Sequence, residues 1–163
     1  MVRDRWEKIV KVLFVCTGNI CRSPSGEAVL RQMAKAAGVP LEVDSAGTSA
    51  YHEGEGADMR SSLAARNRGY DLSVHRSRAL RPGDFSEYDL LLAMDRSHYE
   101  FMLEEALPEQ KAKIKLFLPE YAPERGVRDV PDPYYGGEHG FENVLDLLEE
   151  GCRNLLAEIS TPH

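Results

Sequence analysis

Residues 9–15, IVKVLFV, are β-branched and apolar with one lysine as the only interruption. A strand that alternates apolar and polar has one dry face. This run has two, so it belongs in the middle of a sheet covered by helices on both sides. The rest of the chain repeats the theme. Residues 41–46 (LEVDSA), 88–94 (YDLLLAM) and 112–118 (AKIKLFL) read as further strands, and helical patterns fall between them at 24–37, 57–68 and 96–107, with a last helix at 138–159. Strand–helix alternation predicts an α/β fold: a single domain with a central four-stranded, parallel, twisted sheet and helices on both faces. In such sheets, ligands bind at the carboxyl ends of the strands.

In the first helix, Pro24 suits the first turn, Val29, Met33 and Ala37 form an i, i+4 seam, and Gly38 and Pro40 stop it. Cys152 lies on the apolar seam of the last helix, where it reads as core. A Pro/Gly-rich loop fills the stretch from Pro119 to Gly137.

The first strand runs into Cys16, and Cys16-Thr17-Gly18-Asn19-Ile20-Cys21-Arg22 then leads into Ser-Pro and a helix. Cys-x5-Arg is a weak pattern alone. Between a strand and a helix start it carries chemistry. Such a loop can turn successive backbone N–H groups into one concave nest, and the helix end adds partial positive charge. Gly18 is expected to let the chain turn where a side chain would obstruct it. Arg22 offers a planar fork of donors to two phosphate oxygens. A thiol near a helix N-terminus and an arginine is pushed toward thiolate, and Ser23 could donate to it. The loop therefore combines a nucleophile with a cradle for a tetrahedral oxyanion. The competing reading is a structural cysteine that ends a buried strand.

Bulk properties narrow the partners. The net charge is −7, which gives no general electrostatic case for nucleic acid or an anionic membrane. A phosphate needs only local dipoles and one arginine. The N-terminal MVRDRWEKIVKV lacks the apolar centre of a signal peptide, and no apolar run approaches a membrane span. Three cysteines are too few for a disulfide scaffold. The expectation is a cytoplasmic protein with reduced thiols. The histidines and cysteines show no zinc-type spacing, so no metal is expected.

The segment VLFVCTGNICRSPSGEAVL closely resembles the phosphate-binding loop of the low-molecular-weight protein tyrosine phosphatases. The resemblance extends through SAGTSAYHEG (45–54), DLSVHRSRAL (71–80), AMDRSH (93–98) and DPYYGG (132–137), in family order. About nine residues before the first strand form an N-terminal extension outside it. The family match implies Cys16 as nucleophile, Arg22 as phosphate binder and Asp132 as general acid and base. Asp129 is the fallback acid. Thr17, Gly18, Asn19, Ile20, Cys21 and Ser23 would form the cradle, and Tyr51, Tyr134 and Tyr135 would wall the cleft. Asn19, Ser45 and His75 would hold the loop in shape, and Asp95 would orient Arg22 or the loop, or cap a helix. Cys21 is a candidate redox partner of Cys16.

The implied activity is metal-independent, cofactor-free hydrolysis of phosphotyrosine or aryl phosphate monoesters through a cysteinyl phosphate. Arsenate reductase, phosphoarginine phosphatase and a non-catalytic phosphotyrosine-binding module stand as alternatives. No cysteine lies between Arg22 and Cys152 to carry an arsenate relay, and Ile20 resembles the tyrosine-specific members. Implied partners are phosphotyrosine proteins, such as a bacterial tyrosine kinase, or small aryl phosphates. Tyr134 and Tyr135 are candidates for phosphorylation or self-association, and the oligomeric state is left open.

Overall fold

The computed structural model describes residues 9–133 and 137–160. Tyr134, Tyr135 and nearly all of the N-terminal extension lie outside them. Four parallel strands form one sheet in the order β2-β1-β3-β4: β1 (Val10–Cys16), β2 (Leu41–Gly47), β3 (Leu90–Ala93) and β4 (Ile114–Leu116). The longer helices are α1 (Arg22–Ala37), α2 (Met59–Arg66), α4 (Arg96–Glu105) and α6 (Gly140–Ser160), with short turns α3 (Asp84–Glu87) and α5 (Phe117–Tyr121).

β1 divides the core because successive side chains on a strand point to opposite faces. Val12, Phe14 and Cys16 pack with Val29 and Leu30 of α1, Phe117 and Leu118 of α5, and Val144, Leu148 and Leu155 of α6. Leu13 and Val15 face the other way, onto Phe85, Tyr88, Met102 and Ile114. The apolar run is thus dry on both faces, and its last residue, Cys16, is delivered to the carboxyl edge of the sheet.

Three local expectations need correction. α1 begins at Arg22, two residues before Pro24, and its buried face is Val29, Leu30 and Ala34, whereas Met33 is half-buried and Ala37 exposed. Its end is as expected: Gly38, at φ +69°, takes the left-handed turn that an L side chain resists. β4 is only three residues long, and Phe117 and Leu118, read as its last residues, instead open a helical turn, Phe117–Tyr121. Phe117 and Leu118 are fully buried, and an apolar pair bound for the core does not tell a strand from a helical turn.

Candidate active site

The loop after β1 is shaped by where its carbonyls go. Cys16 O accepts from Thr48 N and Thr17 O from Ser49 N. Gly18 O accepts from Ser77 Oγ and Asn19 O from His75 Nε2. Ile20 O accepts from Asp58 N, and Cys21 O from both Ser25 N and Ser25 Oγ. Six consecutive carbonyls are thus drawn outward by named donors. In a planar trans peptide the C=O and the next N–H point in opposite directions. The N–H groups of residues 17–22 are therefore turned inward, toward a common centre. Among the described residues, the N–H groups of Thr17, Gly18, Asn19 and Ile20 donate to no protein acceptor.

Cys16 Sγ lies at the floor. Ser23 Oγ sits 2.9 Å away, and the Ser23 N–H of the first α1 turn donates to the sulfur at 3.4 Å. Ser23 Oγ also accepts from Asn19 Nδ2 at 2.8 Å, and its own hydrogen has two acceptors in reach, the sulfur at 2.9 Å and Ala46 O at 3.4 Å. Asn19 occupies the left-handed region at φ 57°, and its side chain accounts for that strain. Its Nδ2 also donates to Ser45 Oγ, and its Oδ1 accepts from Arg78 N. Ser45 Oγ donates onward to Glu27 at 2.6 Å. Gly47 completes the fit, since a Cβ there would lie 2.5 Å from Thr17 O.

Arg22 closes the loop. Its side chain is almost wholly buried, and its Nη1 donates to Asp95 Oδ2 at 2.8 Å and to Val130 O at 3.0 Å. Among the described residues Nε and Nη2 have no protein acceptor. Asp95 also caps α4, accepting from Ser97 N and His98 N. Burial pushes its carboxyl up, but the bonds from Ser97 and Arg22 outweigh that and hold it below the usual carboxylate range.

These residues open onto a cavity of about 270 Å³ lined by Cys16, Thr17, Gly18, Ile20, Cys21, Arg22, Ser49, Tyr51, His52 and Asp132. A larger hollow of about 770 Å³ lies beside α2. It is lined by Met59, Leu63, Tyr70 and Leu72, among others, and by none of the loop residues, so chemistry rather than size selects the smaller cavity. The arrangement joins a thiol, inward amides and an arginine fork around a space fit for a tetrahedral oxyanion, with a carboxyl at the mouth.

The sequence model of the low molecular weight phosphotyrosine protein phosphatase family matches residues 11–162. The chain belongs to that family. A low molecular weight protein-tyrosine-phosphatase of Streptomyces coelicolor is 44% identical over 153 residues, covering 91% of this chain and 93% of its own. The human low molecular weight phosphotyrosine protein phosphatase is 38% identical over 149 residues, covering 89% and 92%. The crystal structure of a protein tyrosine phosphatase from Entamoeba histolytica superposes with a TM-score of 0.87 at 40% identity, covering 91% of this chain and 96% of that one.

In this phosphatase the described residues singled out from sequence form a cradle, a rim and a set of braces around one centre, with Asp129 outside them. Cys16 to Arg22 form the cradle. Tyr51 stands at the rim, 84% exposed, edge-on to His52. Ser45, His75 and Asp95 brace the loop from behind. Asp129 is turned away from the cavity to accept from Arg96 N. Gly18 sits where a side chain would obstruct, as expected, since a Cβ there would lie 2.9 Å from the His52 ring, but the left-handed residue of the turn is Asn19. Sequence reasoning missed His52, Ser77, Arg78 and His98. All four stood inside quoted segments, but a histidine, a serine or an arginine carries no sign of which loop it will brace.

Proposed function

We propose that the phosphatase acts on phosphotyrosine proteins or aryl phosphates by a two-step double displacement centred on Cys16. The Cys16 thiolate attacks phosphorus in line. The S–P bond forms, the P–O bond to the phenol breaks, and Asp132 protonates the departing oxygen. Asp132 then takes a proton from water, the new P–O bond forms, and the S–P bond breaks to release phosphate and thiolate. Arg22 and the inward amides hold the equatorial oxygens throughout. The scheme calls for no cofactor.

The observation that carries this reading is the outward bonding of six consecutive carbonyls around a buried sulfur. That pattern suits an oxyanion and has no purpose in a mere strand end. Asp132 at the mouth supports its assignment as the acid, and Tyr51 on the rim supports an aromatic leaving group. Phosphotyrosine proteins such as a bacterial tyrosine kinase, and a cytoplasmic setting with reduced thiols, are the natural context for such a site.

The test is hydrolysis of p-nitrophenyl phosphate in excess chelator, with wild type beside Cys16→Ser and Asp132→Ala. Activity should vanish in the first and fall by about 10²–10⁴ in the second. Full activity in Cys16→Ser would overturn the mechanism.

A further inference from the structure

His98 has no part in the scheme above, yet it is 1% exposed and lies against the loop. It occupies the first turn of α4, directly after β3. β1 and β3 are parallel neighbours, with Val15 opposite Ala93, so the turns that follow them meet at the same edge. The His98 Nδ1 accepts from Asp95 N at 3.1 Å, and Nε2 lies 2.8 Å from Thr17 Oγ1. Because Nδ1 is occupied as an acceptor, the ring proton is on Nε2, and that N–H donates to Thr17. One imidazole therefore holds the residue after Cys16 directly. It holds Arg22 through Asp95, whose Oδ2 accepts from the guanidinium. The two grips fall at opposite ends of the cradle.

We propose that His98 is a positioning residue of this phosphatase, spacing Thr17 and Asp95 so that both ends of the loop close on the same oxyanion. The proposal rests on the reading of Cys16 and Arg22 given above. Thr17 borders the cavity and carries the first amide of the nest. Its hydroxyl accepts from His98, so its rotamer and the peptide beside it are set from α4. Losing that bond frees the start of the cradle while Arg22 stays in place. The cost should fall on the transition state, whose oxygens need every donor at once.

Two substitutions separate the grips. His98→Asn keeps an acceptor near the Asp95 N–H but does not reach Thr17. His98→Gln keeps a donor near the Nε2 position and gives up the cap. The experiment measures kcat and KM for p-nitrophenyl phosphate, and Tm, for both variants, for Thr17→Val, and for the His98→Asn/Thr17→Val double. The loss of one buried hydrogen bond predicts that His98→Asn lowers kcat roughly tenfold with little change in Tm. His98→Gln recovers most of that kcat despite a lower Tm. Thr17→Val matches His98→Asn, and the double is no worse than either single.

A His98→Asn kcat within about twofold of wild type overturns the proposal, as does a double in which the two losses multiply. So does kcat that simply follows Tm across the set. Should a His98 variant fail to fold, Thr17→Val alone still decides, because a wild-type kcat there removes the grip. Loss of activity in Cys16→Ser with none in His98→Asn or Thr17→Val overturns this inference alone. Retained activity in Cys16→Ser overturns the reading beneath it.

Discussion

The loop is held from two sides by bonds of different kinds. Toward β2, Asn19 binds Ser23 and Ser45 through its amide nitrogen, Arg78 N through its amide oxygen, and His75 through its carbonyl. These grips act on neutral amide, hydroxyl and carbonyl groups of the loop, and they secure a left-handed residue at the apex. Toward β3, the grips are a partly buried ion pair, Arg22–Asp95, and a buried imidazole. The first side sets the shape of the cradle. The second sets its charge and its two ends. Substitution on the first side should therefore show mainly in stability, whereas the second side should show in activity and pH dependence and, where an ion is left unpaired, in stability as well.

The comparison is most open to breakage at Arg22. Arg22→Lys keeps the charge but loses the planar fork, and kcat/KM for p-nitrophenyl phosphate should fall about 10²–10³-fold. A drop below tenfold would mean that charge alone suffices on that side. Next in size is Asp95→Asn, which leaves Arg22 charged and poorly paired. Urea denaturation should register a loss of about 3 kcal/mol, and parity with wild type would remove the ion pair from the argument.

On the neutral side, Asn19→Gly should cost about 1–2 kcal/mol from its buried bonds. Asn19→Ala should cost about 1 kcal/mol more, because alanine resists the left-handed backbone. Equal losses in the two variants would show that φ is not held there.

The smallest effect is linked to protons. Burial pushes the His98 imidazole down to about 4, with Arg22 adding to the shift and Asp95, Asp129 and Asp132 opposing it. Its ordinary value is 6.5. Between these values the unfolded chain binds a proton that the folded chain refuses, so stability is full above 6.5 and is lost as pH falls toward 4. From pH 7 to 5.5 the His98 contribution should be about 1 kcal/mol. It should be absent in His98→Asn. Asp95 acts in the same direction but in a lower window, since its depressed carboxyl contributes stability that is lost only as pH falls below the usual carboxylate range. Denaturation midpoints at pH 7 and 5.5 for wild type and His98→Asn separate the two groups.

Legibility in the sequence followed the length over which a signal was spread. The buried β1 run, the strand–helix alternation and the stop at Gly38 were readable because each rests on several residues or on a backbone rule. The reading failed where burial erased periodicity. Phe117 and Leu118 look the same in a buried strand and a buried turn. The seam of α1 shifted for a related reason: the helix begins at Arg22, since its first turn serves the loop, and the face it buries is chosen by β1 and α6. At the site, Cys16 and Arg22 stood out because thiol and guanidinium have few other reasons to flank such a loop. His98 did not, because a lone histidine acquires meaning only from what lies opposite.

By itself the sequence determined the covalent order of the cradle: a buried strand that ends in a thiol, five residues, an arginine and a helix. Local chemistry suffices there, since strand, loop and helix are contiguous. It also determined, through apolar runs with two dry faces, that helices must cover both sides of the sheet. Only the tertiary structure decided which distant groups complete the site. Ser45, His75, Arg78, Asp95, His98 and Val130 come from four separate stretches, and they meet because parallel strands deliver their carboxyl ends to one edge. Hydrogen bonds act over about 3 Å, and the chain closes that distance only once the core is packed.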